Sequence, residues 1–180
     1  LDNDNAIEVI INYLIKKNHT HISYINISEK YNFANERKSS FLKNLKFNKI
    51  NLNPNYYASV KLEEPENSFE VIKKMLTKNK KISAIICSTE FSALSAIKAC
   101  NYLNYKIGKD ISIITFDGAL VRDLSSPPIT AVSFPVKELG KRAIIILLDK
   151  NKKQTVNYIA KSEIIERGSV HICLLYTSPS

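Results

Sequence analysis

Apolar side chains along this 180-residue chain follow two alternating spacings, one typical of helices and one typical of short strands. Apolar residues that recur every three or four positions predict helices over residues 8–17, 36–45, 68–76, 90–103 and 136–148. Short runs rich in β-branched and aromatic residues predict strands over 22–27, 57–62, 82–87 and 111–116, with a last extended segment over 156–165. Strands that are apolar on both faces and alternate with helices indicate an α/β fold with a mostly parallel sheet.

The polar residues that directly follow each predicted strand are the first candidates for chemistry, because open parallel sheets bind ligands beyond the carboxyl ends of their strands. They comprise residues 28–33, Glu63 and Glu64, residues 88–90, and Asp117, which precedes a glycine. A carboxylate at the position of Asp117 can accept hydrogen bonds from two neighbouring hydroxyls or pair with an amine. The same position also suits an aspartate that only caps a turn or the next helix.

Composition narrows the class of protein but does not by itself identify a partner. The chain carries 26 Lys and Arg against 17 Asp and Glu, a formal net charge of +9. Its densest lysine groups, at 78–81 and 150–153, lie where predicted helices end, and cations at that place complement the helix dipole. We therefore favour solvated helix ends over a nucleic-acid surface. No apolar run is long enough to span a membrane, and three cysteines without metal spacing fit a reducing, cytoplasmic location.

Motifs of catalysis and cofactor binding are not found in the sequence. The four glycines are scattered, so there is no phosphate-binding loop, and no G-x-S-x-G nucleophile motif occurs. His19 and His21 have a spacing that could bind a metal, but no cysteine or carboxylate cluster joins them, which favours a polar strand entry. Glu63, Glu64 and Glu66 could be paired catalytic carboxylates, although a solvated loop explains them better. We expect neither an enzyme, nor a cofactor, nor a metal site.

Several segments, taken in order, resemble the C-terminal part of LacI/GalR-type transcriptional regulators. They are Asp2-Asn3 with Leu14-Ile15 and Asn18-His19, Glu36-Arg37 with Phe41, residues 84–94, residues 108–118, residues 127–130, Glu138-Leu139-Gly140 with Ala143, and residues 166–170. The resemblance covers residues 1 to about 170. Asn18 stands where the family has a helix-ending glycine, and asparagine is the other residue that tolerates a left-handed helix end.

The resemblance implies a periplasmic-binding-protein-like fold, with a doubly wound C-terminal subdomain and an incomplete N-terminal subdomain. It assigns residues 1–18 and 134–150 to the N-terminal subdomain, and residues 19–133 and 151–170 to the C-terminal one. It also implies that the helix-turn-helix headpiece is absent from this chain. Residues 171–180 have no counterpart in the family pattern, and we expect them to be a non-native tail.

By the same resemblance, five residues are expected to contact a small molecule held in the cleft between the subdomains. Asp117 corresponds to the aspartate that accepts bonds from ligand hydroxyls, and Arg37 to the arginine that reaches into the cleft. Thr89 occupies a position beside the ligand where the family usually has Asn, Ser or Gly. Asn5 and Phe134 are the candidates from the N-terminal side of the cleft.

The function implied is the sensing of a small-molecule effector, a sugar or related metabolite, by a cytoplasmic homodimer that binds operator DNA through its headpiece. The alternative is a periplasmic sugar-binding protein of a transport system, which shares the fold. The segments at 138–140 and 167–170 favour the regulator.

Overall fold

The fold is built on one six-stranded sheet. The computed structural model describes residues 2–61, 64–117, 124–148 and 158–174. The strands are β1 (Ile22–Ile27), β2 (Tyr57–Val60), β3 (Ala84–Cys87), β4 (Ser112–Phe116), β5 (Thr130–Ser133) and β6 (Glu163–Ile165). Their order in the sheet is β2-β1-β3-β4-β5-β6, and only β6 runs antiparallel to its neighbour. The predicted mostly parallel sheet is confirmed.

Four helices, α1 (Asn3–Lys16), α2 (Asn32–Phe47), α3 (Pro65–Lys78) and α4 (Glu90–Tyr102), cover both faces of the sheet. A further described helix, α5 (Val136–Leu148), follows β5. A core of α1 and α2 side chains, including Ile10 and Phe41, packs with Tyr24 on one face. A second core, which includes Ile72 of α3 and Ala96 of α4, covers the other face. This two-sided covering explains why β1, β3 and β4 are buried along their whole length.

Local caps set the helix ends that apolar spacing placed only approximately. Helix α1 begins five residues before its predicted start at residue 8, because the Asp2 carboxylate accepts a 2.9 Å bond from the Asn5 amide. Helix α1 ends as expected, because Asn18 adopts the left-handed conformation with a φ of 65°. Strand β5 was not predicted, since it begins two positions after Pro128 and is only four residues long.

The segment after β6 returns across the sheet and fixes the loop before β4. Gly108 has a φ of 78°, and a Cβ built there would lie 2.2 Å from the carbonyl oxygen of Gly168. Ser169 continues this contact, because its hydroxyl donates to the Ile113 carbonyl at 2.6 Å and accepts from the Thr130 amide at 2.8 Å. The position of β4 therefore depends on this returning segment.

The predicted subdomain division stays a prediction. Helix α1, assigned with residues 1–18 to an N-terminal subdomain, has most of its apolar side chains buried in the same core as α2 and the sheet. By contrast, the described α5 has no buried residue, and its Leu147 is 83% exposed. The assignment of residues 134–150 and 151–170 to two subdomains stays a prediction, and residues 149–157 lie outside the described ranges.

The first residues of the predicted tail are bonded to the body of the protein. The backbone amide of His171 donates to the Ser112 hydroxyl at 3.1 Å, and that of Cys173 donates to the Lys17 carbonyl at 2.8 Å. A non-native origin of 171–180 stays a prediction, and residues 175–180 are outside the described part.

Among the helices described, none is long and apolar enough to cross a membrane.

Candidate ligand-binding site

The candidate site lies at the carboxyl edge of the sheet, where the ends of β3 and β4 meet the beginnings of α1 and α2. Asp117 directly follows β4, and Ser88 and Thr89 directly follow β3. Arg37 extends from α2 to this edge, where its Nη1 donates to the Ser88 carbonyl at 2.6 Å. Two residues predicted from different motifs, Arg37 and Asp117, are thus brought to one place.

The Arg37 guanidinium is held on several sides and is only 6% exposed. Its Nε donates to the side-chain oxygen of Asn3 at 2.8 Å. Its Cζ lies 3.6 Å from the centre of the Phe116 ring, and 5.1 Å from that of Phe33. A planar cation stacked on an aromatic face and bonded at its edge has one defined orientation.

Burial and nearby side chains shift the pKa of Arg37 in opposite directions. Burial lowers the pKa of Arg37 below its usual value, and Tyr24, Asp117 and Glu36 act in the opposite direction. The group remains cationic at neutral pH, because an arginine side chain starts from so high a value. A buried and oriented cation is suited to bind the oxygen atoms of a polar ligand.

Asp117 lies at the turn after β4 in an unusual backbone conformation. Its φ is 65°, a left-handed value that costs a residue with a Cβ roughly 1–2 kcal/mol. Its side chain is exposed at the carboxyl edge. Burial of part of the group raises the pKa of Asp117, the nearby Arg37 lowers it, and Glu90 raises it again. The left-handed conformation at this edge motivates the hypothesis that Asp117 contacts a ligand, which stays a prediction.

Thr89 also lies at this edge, but its hydroxyl is already used by the protein. It accepts a 3.1 Å bond from the Ser92 amide, and the Ser92 hydroxyl accepts from the Thr89 amide at 3.1 Å. These reciprocal bonds form a capping box at the start of α4. The described contacts of Thr89 are therefore structural, and its predicted contact with a ligand stays a prediction.

Asn5 and Phe134 have partners within the fold. The side-chain oxygen of Asn5 accepts from the Ser162 amide at 3.2 Å, which ties α1 to the segment before β6. Phe134 is 3% exposed and stacks on Phe116 with ring centres 6.3 Å apart. The structure brings Phe134 into the core beneath Arg37. The contacts of Asn5 and Phe134 with a ligand stay predictions.

Sequence reasoning missed Asn3, which contacts both Arg37 and Glu36. Asn3 is 8% exposed and bonds both Arg37 and the Glu36 carboxylate, the latter at 2.7 Å. A cavity of about 320 Å³ borders these residues and is lined by Asp2, Asn3, Asp4, Glu36, Tyr158 and Ile159. Asn3 belongs to one of the family-like motifs, but its contact with Arg37 spans 34 positions of sequence that no local pattern reveals.

The described contacts of His19 are hydrogen bonds within the fold. His19 is fully buried, and its ring nitrogens lie 2.9 Å from the Ser83 hydroxyl and 3.1 Å from the Ser112 hydroxyl. Burial lowers the pKa of His19 to about 4. No group of three or more potential metal ligands occurs among the described residues. A cavity of about 540 Å³ beside His21 lies at the amino edge of the sheet, away from Asp117.

The glutamates that were weighed as a catalytic pair lie around the start of α3. Glu64 accepts bonds from Lys61 at 2.7 Å and from Asn67 at 2.8 Å, and Glu66 is exposed in the first turn of α3. Glu63 lies outside the described residues. The described contacts are those of a charged loop and helix start.

Comparison with known proteins identifies the kind of domain. A family model described as a periplasmic binding protein-like domain matches residues 11–170. The transcriptional regulator RegA of Clostridium saccharobutylicum is 30% identical over 164 residues, which cover 88% of this chain and 48% of that protein. The transcriptional repressor PurR of Yersinia enterocolitica is 30% identical over 173 residues, or 93% of this chain and 50% of that protein.

Solved structures show the same fold. The Escherichia coli transcriptional repressor AscG matches with a TM-score of 0.83 and 24% identity, over 94% of this chain and 62% of that one. A sugar-binding LacI-family regulator from Escherichia coli matches with a TM-score of 0.83 and 23% identity, over 96% of this chain and 62% of that one. At such identities the likeness concerns the fold alone. The chain spans about half the length of the curated relatives it matches.

Proposed function

The chain belongs to the periplasmic binding protein-like domain family, and we propose that it is the effector-sensing part of a LacI/GalR-type transcriptional regulator. Its curated relatives are regulators and repressors of transcription, and the chain covers about half of their length. A DNA-binding headpiece would belong to the other half. The whole protein would act in the cytoplasm as a homodimer on operator DNA.

The observation that carries the proposal is the juxtaposition of a buried, oriented arginine and an exposed aspartate at the carboxyl edge. Arg37 can donate several hydrogen bonds to ligand oxygens, and Asp117 can accept bonds from two ligand hydroxyls. A ligand that presents adjacent hydroxyls, such as a sugar or the ribose of a nucleoside, satisfies both groups. The proposal assigns these residues to binding, and it gives none of them a role in catalysis.

Regulation follows from binding only if the effector distinguishes two conformations of the protein. An effector held by Arg37 and Asp117 from this side, and by a second subdomain from the other, would stabilise the closed cleft. The effector can shift the orientation of the headpieces only as far as the difference between its affinities for the open and closed conformations allows.

A periplasmic sugar-binding protein is the alternative function on the same fold. The named relatives favour the regulator, because they are transcriptional regulators that match 88% or more of this chain. The two functions differ in the segment that precedes the domain. A helix-turn-helix encoded upstream would support the regulator, whereas a secretory signal would support the transport protein.

Isothermal titration of the complete protein with D-glucose, D-ribose, cellobiose, adenosine and cytidine tests the proposed site. Asp117→Asn keeps a residue that tolerates positive φ but removes the charge, so we expect affinity to fall by about 10- to 100-fold. The matched control is Glu70→Gln, an exposed carboxylate on α3 that pairs only with nearby Lys73 among the described residues. Equal affinity of Asp117→Asn and wild type would show that Asp117 is not a ligand contact.

A further inference from the structure

Asn3 joins two charged side chains of α2 through its single amide group. Its Oδ1 accepts from Arg37 Nε at 2.8 Å, and its Nδ2 donates to Glu36 Oε2 at 2.7 Å. We propose that Asn3 and Glu36 are positioning residues that hold the Arg37 guanidinium in the orientation that binds the effector. This inference rests on the proposed function of the site.

The chemistry of the three side chains permits only one arrangement of these bonds. Arginine Nε can only donate a hydrogen bond, so it requires the oxygen of the Asn3 amide. The Glu36 carboxylate can only accept, so it requires the amide nitrogen. Glu36 thereby fixes which way the Asn3 amide faces, and Asn3 in turn presents an acceptor to Arg37.

The beginning of α1, which carries Asn3, is itself attached to α2. The Ser40 hydroxyl donates to the Asp4 carbonyl at 3.2 Å, and Lys43 pairs with the Asp4 carboxylate at 2.8 Å. Asn3 is 8% exposed, so water competes little for its amide. The acceptor for Arg37 is therefore part of a packed helix pair and not of a free segment.

Arg37 keeps donors for a ligand after these contacts are made. Of its five N–H groups, Nε bonds Asn3 and one N–H of Nη1 bonds the Ser88 carbonyl. The remaining three make no hydrogen bond to the part of the chain that the structure describes. With the ring of Phe116 against its face, the guanidinium cannot rotate without losing contacts. The effector thus meets donors that are already oriented, which reduces the entropy lost on binding.

Loss of the Asn3 acceptor should weaken binding without removing any direct ligand contact. In Asn3→Ala, Arg37 Nε loses its partner and the guanidinium gains freedom that binding must remove again. We expect an affinity about 10-fold weaker than that of wild type. A purely structural role for Asn3 would instead lower the melting temperature and leave the affinity of the folded protein unchanged.

A swap of donor and acceptor between residues 3 and 36 distinguishes a positioning role from a general loss of structure. In Asn3→Asp, the new carboxylate still accepts from Arg37 but cannot donate to Glu36, and the two carboxylates repel each other. In the double variant Asn3→Asp/Glu36→Gln, the glutamine amide donates to Asp while Asp accepts from Arg37, which rebuilds the relay. We expect Asn3→Asp to bind weakly and the double variant to recover to within about 3-fold of wild type.

The experiment is isothermal titration of the complete protein and these variants with D-glucose, D-ribose and adenosine, together with a thermal melt of each. Arg37→Met is included to separate the two proposals. Unchanged affinity in Arg37→Met overturns the proposed site itself. Weakened affinity in Arg37→Met, with wild-type affinity in Asn3→Ala or no recovery in the double variant, overturns the positioning role alone.

Discussion

Substitution of Gly108 by alanine should destabilise the fold through a contact far from the candidate site. The Cβ of alanine would lie 2.2 Å from the Gly168 carbonyl oxygen, where ordinary contact begins at about 3.4 Å. The clash involves backbone on both sides, so one loop must move, and this kind of overpacking costs about 1–3 kcal/mol. The φ of 78° adds roughly 1 kcal/mol for a residue with a Cβ. We expect a loss of about 2–4 kcal/mol in the free energy of unfolding.

Urea denaturation followed by circular dichroism, with a thermal melt, measures this loss. For a chain of 180 residues each kcal/mol lowers the melting temperature by about 2–4 °C, so Gly108→Ala should melt at least about 4 °C lower. Gly140→Ala is the matched control, because among the described residues no atom outside its own helix backbone and chain neighbours lies within 4 Å of its Cβ, and alanine favours the helix α5. We expect that control to be neutral or slightly stabilising. A Gly108→Ala protein as stable as Gly140→Ala would refute the contact between the two loops.

Three further predictions concern single side chains. Phe134→Ala should lose about 3–5 kcal/mol in urea denaturation, because Phe134 packs in the core; a loss below 1 kcal/mol, or one matched by Phe134→Leu, would contradict that packing. Thr89→Ala should lose about 1 kcal/mol by removing the α4 cap, whereas Thr89→Ser should keep it, and equal stability of the two would rule out the cap. The pKa of His19 is lowered to about 4, so between pH 6.5 and 4 the unfolded chain binds a proton at this residue more readily than the folded protein does. The free energy of unfolding therefore falls as pH drops from 6.5 towards 4. Between pH 7 and 5 the wild type should lose about 2 kcal/mol more than His19→Gln, and parallel pH profiles would contradict a buried neutral His19.

The main elements of the fold could be predicted because periodicity reflects burial. The bounds of β1 and the first residue of α4 lie where they were predicted. Both elements are rich in apolar residues, and polar residues bound them. Strand β5 escaped prediction because four residues after a double proline carry too little periodic signal. The early start of α1 depends on the Asp2 cap, which apolar spacing does not register.

The candidate site was only partly predictable. Asp117 follows from the carboxyl-edge rule together with the family motif, because its position depends on the strand directly before it. The contacts of Arg37 join residues 34 and 51 positions apart in the sequence, and they form only when α1 and β3 are packed beside α2. Such contacts leave no periodic trace, so Asn3 and Ser88 could not be identified as its partners.

The relay to Arg37 depends on where α1 packs, which no local sequence pattern shows. In the structure α1 packs in the same core as α2, and hydrogen bonds join Asn3 to both Glu36 and Arg37. It follows that this half of the site can be oriented before any effector arrives. Closure then need supply only the contacts from the opposite side, and the free energy of effector binding remains available to distinguish the open from the closed conformation.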